Sequence, residues 1–431
     1  MNTADTIYAL SSGAPPAAIA IIRISGPQAF NAVRALAGRV PSPRRASLAE
    51  LRHPETGEPL DRALTIVFPG PNSASGEDLA ELHLHGGRAV VRAVEIALAG
   101  IAGLRKAEPG EFTRRTFLNG RIDLNEAEGL ADLLTAETEW QRRAASAMMG
   151  GGFSQNVEDW RTEILTLSAL TEAELDFSDE DDVGFQNKHY ISEGCLRLSA
   201  VMAAILAQPA AEKLRDGLRV VLGGPPNSGK STLLNALVDR DAAIVSDIAG
   251  TTRDIIEIPV AVEGLPLLFI DTAGVRDEIG DNIEAIGIDR ARAAFANADI
   301  ILWLGIEQEG PSHPHLLEIE AKADDPLHQH KSESAFILSA KSGAGISELL
   351  AKVAGLAKTL LPPPDQFAVN ARQRTLLASA ASALSDAANS SDWLITAEHL
   401  RRARLELDAL TGRAHTEDML DSLFGRFCVG K

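Results

Sequence analysis

Residues 224–231 read Gly-Pro-Pro-Asn-Ser-Gly-Lys-Ser, the spacing G-x-x-x-x-G-K-S. The apolar run Arg219-Val220-Val221-Leu222 precedes it, and the helix-forming stretch 232–238 follows. In a strand–loop–helix setting the glycines let backbone N–H groups turn inward around phosphate oxygens. The helix beginning near Lys230 adds its positive end. Lys230 then reaches the β- and γ-phosphates, and the Ser231 hydroxyl ligates Mg²⁺. The chemistry implied is transfer of a nucleoside triphosphate's terminal phosphoryl group.

Three further segments narrow the nucleotide to GTP. Gly250-Thr251-Thr252-Arg253-Asp254 lies where a threonine closes over the γ-phosphate as an ordered switch. The apolar run 267–270 ends in Asp271-Thr272-Ala273-Gly274, with Asp271 at the place of the second Mg²⁺ carboxylate and the Gly274 N–H facing the γ-phosphate. Guanine is usually read by Asn-Lys-x-Asp, and here the segment is Ala321-Lys322-Ala323-Asp324. Asp324 still accepts from the guanine edge, and Ser339-Ala340-Lys341 after 335–338 fits the last nucleotide loop. Two readings follow: guanine specificity is retained but weakened, or the strand is displaced and guanine affinity is poor. Val275, next after Gly274, cannot orient water as a glutamine does, so another group must.

The elements that position these residues follow from pattern. Residues 1–121 mix short β-type runs (18–24, 64–68, 79–84) with Gly/Pro turns, which predicts an α+β domain. From 122 to 217 the pattern turns helical, with a stripe at Leu130, Leu133, Leu134 and Glu137. Residues 218–364 alternate strand and helix, the sign of a parallel sheet with crossover helices. Leu361-Pro-Pro-Pro-Asp365 is a stiff linker. Helical periodicity returns over 365–431, where Leu400, Ala403, Leu407 and Leu410 share a face and Thr416 is placed to cap a helix. The economical arrangement is a helical domain interrupted by an inserted α/β domain.

Composition bounds the rest. With 431 residues, 45% hydrophobic and 23% charged, the chain is an ordinary multidomain globular protein. Aromatics at 4% argue against interleaved stacking platforms for single-stranded nucleic acid. Net charge is −19, unevenly spread: residues 1–121 hold 14 basic and 11 acidic side chains, and the other 310 hold 27 and 49. An acidic body argues against a uniform basic nucleic-acid face. No membrane span or signal peptide is expected, and Cys195 and Cys428 alone make no disulfide framework, so a cytoplasmic location is expected. The acidic run 172–182 reads as a solvated turn or helix end rather than a metal site.

The motifs together resemble the tRNA-modification GTPase MnmE (TrmE) family. They are IIRISGP at 21–27, FPGPNSASGEDLAELHLHGG at 68–87, PGEFTRRTFLNGRIDLNEAEGLADL at 109–133, the GTPase segments, and FCVGK at 427–431. The resemblance covers nearly the whole chain, with Ala321 its main departure. It implies a multidomain α/β protein: an N-terminal α+β folate-binding and dimerisation domain (1–121), a discontinuous helical domain (122–217 and 365–431), and an inserted Ras-like P-loop GTPase domain with a doubly wound sheet (218–364).

The resemblance also implies a reaction. Family members work with an FAD-dependent flavoprotein, MnmG (GidA), in a heterotetramer or larger complex. Together they add an aminomethyl or carboxymethylaminomethyl group to C5 of the wobble uridine (position 34) of tRNA. A tetrahydrofolate derivative, 5-formyl or methylene, supplies the carbon. Members are homodimers, and K⁺ assists hydrolysis. The implied GTP-binding set is Asn227, Ser228, Gly229, Lys230, Ser231 and Thr232; Ser246, Asp247, Ile248, Ala249, Gly250, Thr251 and Thr252; Asp271, Thr272, Ala273 and Gly274; and Asp324, Ser339, Ala340 and Lys341. Within it Ser231 and Thr252 hold Mg²⁺, and Asn227, Ser246, Ile248 and Thr251 hold K⁺. Glu284 is the implied carboxylate that orients water. Arg23, Glu81, Arg121 and Lys431 are the implied folate contacts.

Cys428 carries two readings. One is a buried structural thiol; the other is a functional thiol in the modification reaction, which needs a lowered pKa. The ending Cys-Val-Gly-Lys is not a prenylation box, since Lys is not a favoured last residue. Two other functions compete with tRNA modification: a regulatory or assembly GTPase, and a folate-binding one-carbon module whose GTPase is structural. The motif set of the first 133 residues and FCVGK favour modification over a regulatory or assembly GTPase, while Ala321 keeps the folate-binding module open.

Overall fold

Apolar residues alternate along 19–25 and 79–85, and the chain pairs them so that one face is wholly buried. In the computed structural model, Ala20, Ile22 and Ile24 oppose Leu84, Leu82 and Ala80 in antiparallel register. A slip of one residue would expose all six. Described here are residues 5–176, 184–241, 243–244, 256–272, 292–326, 330–331, 336–414, 417–425, 427 and 429–430.

By contact the chain divides into two compact units, Met1–Glu128 with Thr411–Lys431, and Gly129–Leu410. By contact, residues 411–431 cluster with the first unit. The reason is physical: helix 417–424 packs on helix 111–118, with Phe117 and Phe424 rings 6.1 Å apart.

The first unit is built on a six-stranded sheet: β1 (Thr6–Leu10), β2 (Ile19–Ser25), β3 (Ser47–Arg52), β4 (Pro59–Phe68), β5 (Leu79–His85) and β6 (Leu104–Lys106), in the order β3-β4-β5-β2-β1-β6. All pairs are antiparallel except β1 with β6. Helices Ala29–Ala37 and Arg88–Ala99 cover the buried face through Ala32, Val33, Leu36, Val94 and Leu98. Arg23, Glu81 and His83 alternate to the other face, where helix Glu111–Leu118 packs Phe112 against Ile7 and Ala9.

The second unit has a helical core and a second sheet. Helices Gly152–Asp176, Gly184–Leu206, Ala371–Asn389 and Trp393–Thr411 bury one another's stripes. Leu400, Ala403, Leu407 and Leu410 all lie in that core, as their spacing indicates. The stripe at Leu130 differs. Helix Leu124–Thr135 ends before Glu137, and Leu134 is exposed, because the next helix restarts at Glu139 behind a Thr138/Gln141 capping box. The stretch Asn187–Asp216 is long and apolar enough to cross a bilayer by length and composition alone. Its Ile191, Cys195, Leu198 and Met202 are instead buried against neighbouring helices. Of the acidic run, 172–176 ends helix 152–176, while 177–182 lies outside the described residues.

The second sheet holds β7 (Leu218–Gly223), β8 (Ala243–Ile244), β9 (Ile256–Val262), β10 (Leu265–Asp271), β11 (Ile300–Trp303), β12 (Leu316–Glu320) and β13 (Phe336–Ile337), in the order β13-β12-β11-β7-β10-β9-β8. The five strands from β13 to β10 are parallel; β9 and β8 join antiparallel. The β9–β10 turn is Glu263-Gly264, both at positive φ (49° and 77°), which suits a two-residue hairpin. Both faces of the sheet are covered. Val220 and Leu222 pack with helices Lys230–Asp241 and Ile346–Leu360, while Val221 and Ile270 pack with Ala294. The central strand β7 therefore reads as a continuous apolar run.

Candidate functional site

β7 delivers the chain to the phosphate loop. Gly224 (φ 145°), Asn227 (φ 62°) and Gly229 (φ 100°) turn it before helix 230–241 begins. Lys230 is 5% exposed, and its Nζ donates to the backbone oxygens of Gly224 (3.0 Å) and Pro225 (2.8 Å). A buried ammonium at a helix N-terminus is an anion site by charge and by geometry. The first residue of that helix's next position, Ser231, donates its hydroxyl to Asp271 Oδ2 at 2.6 Å. Asp271 is 1% exposed at the end of β10, in register with Leu222. Thr272 Oγ1 ties the same strand end to Leu222 O at 2.8 Å. Two hard oxygen donors thus converge beside Lys230, a donor set that suits Mg²⁺.

The base loop follows β12. Its strand is not displaced: Ile301, Leu302 and Trp303 pair with Leu316, Leu317 and Glu318, and Glu320 pairs with Ile337. Lys322 Nζ donates to Asn227 O at 2.7 Å, and Ala323 N to Leu338 O at 3.1 Å. Ser339 Oγ donates to Asp324 Oδ1 at 2.6 Å and accepts from Ser342 N. These loops enclose a cavity of about 320 Å³ lined by Gly229, Thr232, Leu233, Ala321, Lys322, Asp324, Asp325, Leu338, Ala340 and Lys341. P-loop, base loop and last loop therefore meet at one concavity, as a nucleotide site requires. The Asn227 amide is exposed and makes no hydrogen bond among the described residues. Ser228 Oγ is buried, with no hydrogen-bond partner among the described residues. Ser246, Asp247, Ile248, Ala249, Gly250, Thr251, Thr252, Ala273, Gly274, Val275 and Glu284 lie outside the described residues.

In the first unit, Arg23 and Glu81 are cross-strand partners. Arg23 Nη2 and Nε lie 2.9 and 3.2 Å from Glu81 Oε1, and His83 Nε2 lies 3.2 Å from Glu81 Oε2. The Arg23 guanidinium also sits 6.0 Å from the centre of the Phe112 ring. Arg121 is exposed past helix 111–118 and joins no ion pair with them. Cys428 and Lys431 lie outside the described residues. The other cysteine, Cys195, is fully buried, and burial, then Glu163, pushes its thiol up to about 12, so it is inert.

One cluster went unnoticed in the sequence. Arg115 donates to Asp5 Oδ1 (2.9 Å), Glu77 Oε2 (3.2 Å) and Glu111 Oε1 (3.0 Å). Arg105 bridges Asp5 Oδ2 (2.6 Å) and Glu111 Oε2 (2.7 Å). Burial pushes the Asp5 and Glu111 carboxyls up, but the two guanidinium groups outweigh it and hold both below their ordinary values. Only the four-residue spacing of Glu111 and Arg115 hints at it; the other members are distant in sequence.

Comparison with known proteins agrees with this geometry. The model of the GTP-binding protein TrmE N-terminus matches residues 6–121, and that of the MnmE helical domain matches 124–428. A protein of Novosphingobium aromaticivorans described as tRNA modification GTPase MnmE is 56% identical over 436 residues, covering 99% of this chain and all of its own. Proteins of the same description from Rhizorhabdus wittichii (54% identical, 100% of this chain and 97% of its own) and Zymomonas mobilis (47%, 99% and 100%) match along the same length.

Proposed function

The chain belongs to the MnmE family, and from that premise we propose that it is a GTP hydrolase acting in tRNA modification. The observation that carries the reading is the Ser231–Asp271 pair at 2.6 Å beside the buried Lys230. Lys230 binds the β- and γ-phosphates, and Ser231, Thr252 and Asp271 hold Mg²⁺, which when bound neutralises phosphate charge. Asp324, held by Ser339, reads the guanine edge. Asn227, with the backbone oxygens of Ser246 and Ile248 and with Thr251, forms a K⁺ cradle; the ion there supplies the charge that an arginine finger supplies elsewhere. The exposed Asn227 side chain, which makes no hydrogen bond among the described residues, supports that role. Glu284 orients the attacking water, the task that Val275 cannot perform.

The reading extends to the first unit. Arg23, Glu81, Arg121 and Lys431 bind a tetrahydrofolate derivative, 5-formyl or methylene. The Arg23–Glu81–Phe112 group has the chemistry for it: a carboxylate for pterin N–H donors, a guanidinium for a planar edge, and an aromatic wall. Cys428 is a candidate thiol for the same reaction. The chain acts as a cytoplasmic homodimer with an FAD-dependent MnmG (GidA) partner in a heterotetramer or larger complex. Their joint product is tRNA bearing an aminomethyl or carboxymethylaminomethyl group on C5 of uridine 34. The domains are 1–121, 122–217 with 365–431, and the inserted 218–364.

Two measurements test this. Mass spectrometry of wobble uridines from a strain lacking the gene is expected to show the C5 group lost; unchanged nucleosides rule out the modification role. GTP turnover is expected to be faster in KCl than in NaCl, and equal rates rule out the Asn227 cradle.

A further inference from the structure

Between Asp5 and Glu50 the chain carries five arginines and no acidic residue, in a protein of net charge −19. Four of the five lie at the end of helix Ala29–Ala37 and in the loop after it: Arg34, Arg39, Arg44 and Arg45. All four are exposed. Among the described residues none of them joins an ion pair. Arg34 Nη1 donates to the neutral Asn31 Oδ1 at 2.8 Å. The loop is built rather than loose. Pro41 is buried in it, and Arg44 N donates to Val67 O near the end of β4 at 2.9 Å. The Arg44 guanidinium donates to Asn72 O and sits 5.7 Å from the centre of the Phe68 ring. The acids of that neighbouring loop are engaged elsewhere: Asp78 accepts from Gly70 N, and Glu77 from Ser25 and Arg115. Arg44 is also left-handed (φ 60°), where glycine or asparagine would sit with less strain. A strained position that keeps an arginine, with its charge held at the surface and not neutralised, points to a ligand that uses the charge.

We infer that Arg34, Arg39, Arg44 and Arg45 form a docking surface for the phosphate backbone of tRNA. The inference rests on the tRNA-modification reading above and names where on this chain the substrate lies. The forked donors of arginine match phosphate oxygens. Phosphate contacts hold a nucleic acid in register without reading its sequence, so the patch positions tRNA and does not select it. Beyond residue 121 the chain holds 49 acidic against 27 basic side chains, a balance that repels a polyanion and favours contact here.

Fluorescence anisotropy of labelled tRNA with the full-length chain, from about 50 to about 200 mM KCl, tests this. The variant Arg34→Gln/Arg39→Gln/Arg45→Gln keeps Arg44 and its loop contacts. Its tRNA affinity is expected to fall about ten- to a hundredfold, two- to fivefold for each exposed pair. Its log–log salt slope is expected to shrink by about two to three. Adding Arg44→Gln is expected to lower affinity further. Lysine at the same three positions is expected to bind within about threefold of wild type, since the charge is kept. GTP turnover without tRNA is expected to stay unchanged in the triple variants. Wild-type affinity and slope in the glutamine triple variant would overturn the surface. An equal loss in the lysine variant would overturn charge as its basis. Intact tRNA binding with lost binding to vesicles of anionic phospholipid would give the patch to a membrane and overturn the proposal. A wild-type chain that binds no tRNA also overturns it. The modification reading is judged separately, by whether wobble uridines lose their C5 group when the gene is deleted.

Discussion

Lys322 Nζ donates to the backbone oxygen of Asn227 at 2.7 Å, so the base loop is tied to the phosphate loop. Ala321 stands where the family uses asparagine, and its methyl group cannot make such a tie. The lysine beside it makes the bond between the two loops. Asn227 is at positive φ, a conformation that needs support for any residue but glycine. Lys322→Met is expected to weaken guanine nucleotide binding by about three- to tenfold, since the bond is charge-assisted but exposed. Titration with a fluorescent GDP analogue measures this, and wild-type affinity in the variant would show the tie to be idle.

Asp324 sits with its carboxylate fixed by Ser339 at the rim of the cavity shared with Gly229 and Thr232. A carboxylate accepts from guanine N–H groups, whereas an amide offers donors as well. Asp324→Asn is therefore expected to shift preference from GTP toward xanthosine triphosphate by about 10²-fold, the cost of leaving buried polar groups unsatisfied. Competition between the two nucleotides measures it, and an unmoved preference would take Asp324 out of base reading.

The phosphate loop was legible in the sequence because its chemistry is local: eight consecutive residues, one strand and one helix set Lys230 and Ser231 in place. The core stripe at Leu400–Leu410 was legible for the same reason, a single helical period. Glu137 misled because a capping box, not hydrophobic spacing, decides where a helix begins. The network of Asp5, Glu77, Arg105, Glu111 and Arg115 was hidden because its members come from four separated segments that only the sheet brings together. The bond from Ser11 to Gly430 was hidden likewise: the two are 419 residues apart.

That network makes the first unit acid-sensitive in a stated direction. Asp5 and Glu111 have folded pKa values below the ordinary 3.8 and 4.5. As pH falls, the unfolded chain takes up these protons first. The stabilisation is complete above about 4.5 and is lost as pH drops through the window below those ordinary values. Urea midpoints of the first unit are expected to be flat from pH 7 to 5 and to fall below that window. Glu111→Gln removes one fully buried carboxylate from two guanidinium groups. It is expected to cost about 3–5 kcal/mol at neutral pH, as breaking a buried pair does, and to flatten the acid limb. A variant as stable as wild type at pH 7 would show that Glu111 is dispensable to the network.

Asp271 gives the sharpest test of hydrolysis. Its carboxylate is 1% exposed and accepts the Ser231 hydroxyl at 2.6 Å, while Thr272 beside it anchors the strand to Leu222. The anchor lies outside the carboxylate, so removing the charge leaves the loop's backbone support in place. Asp271→Ala takes away a metal-directed oxygen that works in the transition state, where losing one preorganised electrostatic partner costs about 10²–10³-fold in turnover. GTP hydrolysis at saturating Mg²⁺ is expected to fall by at least that factor. Nucleotide binding without Mg²⁺ is expected to change by less than about tenfold, because Lys230 and the loop N–H groups still hold the phosphates. Near-normal turnover would remove Asp271 from the hydrolytic site. Loss of binding without Mg²⁺ would show instead that the Ser231–Asp271 bond builds the loop itself.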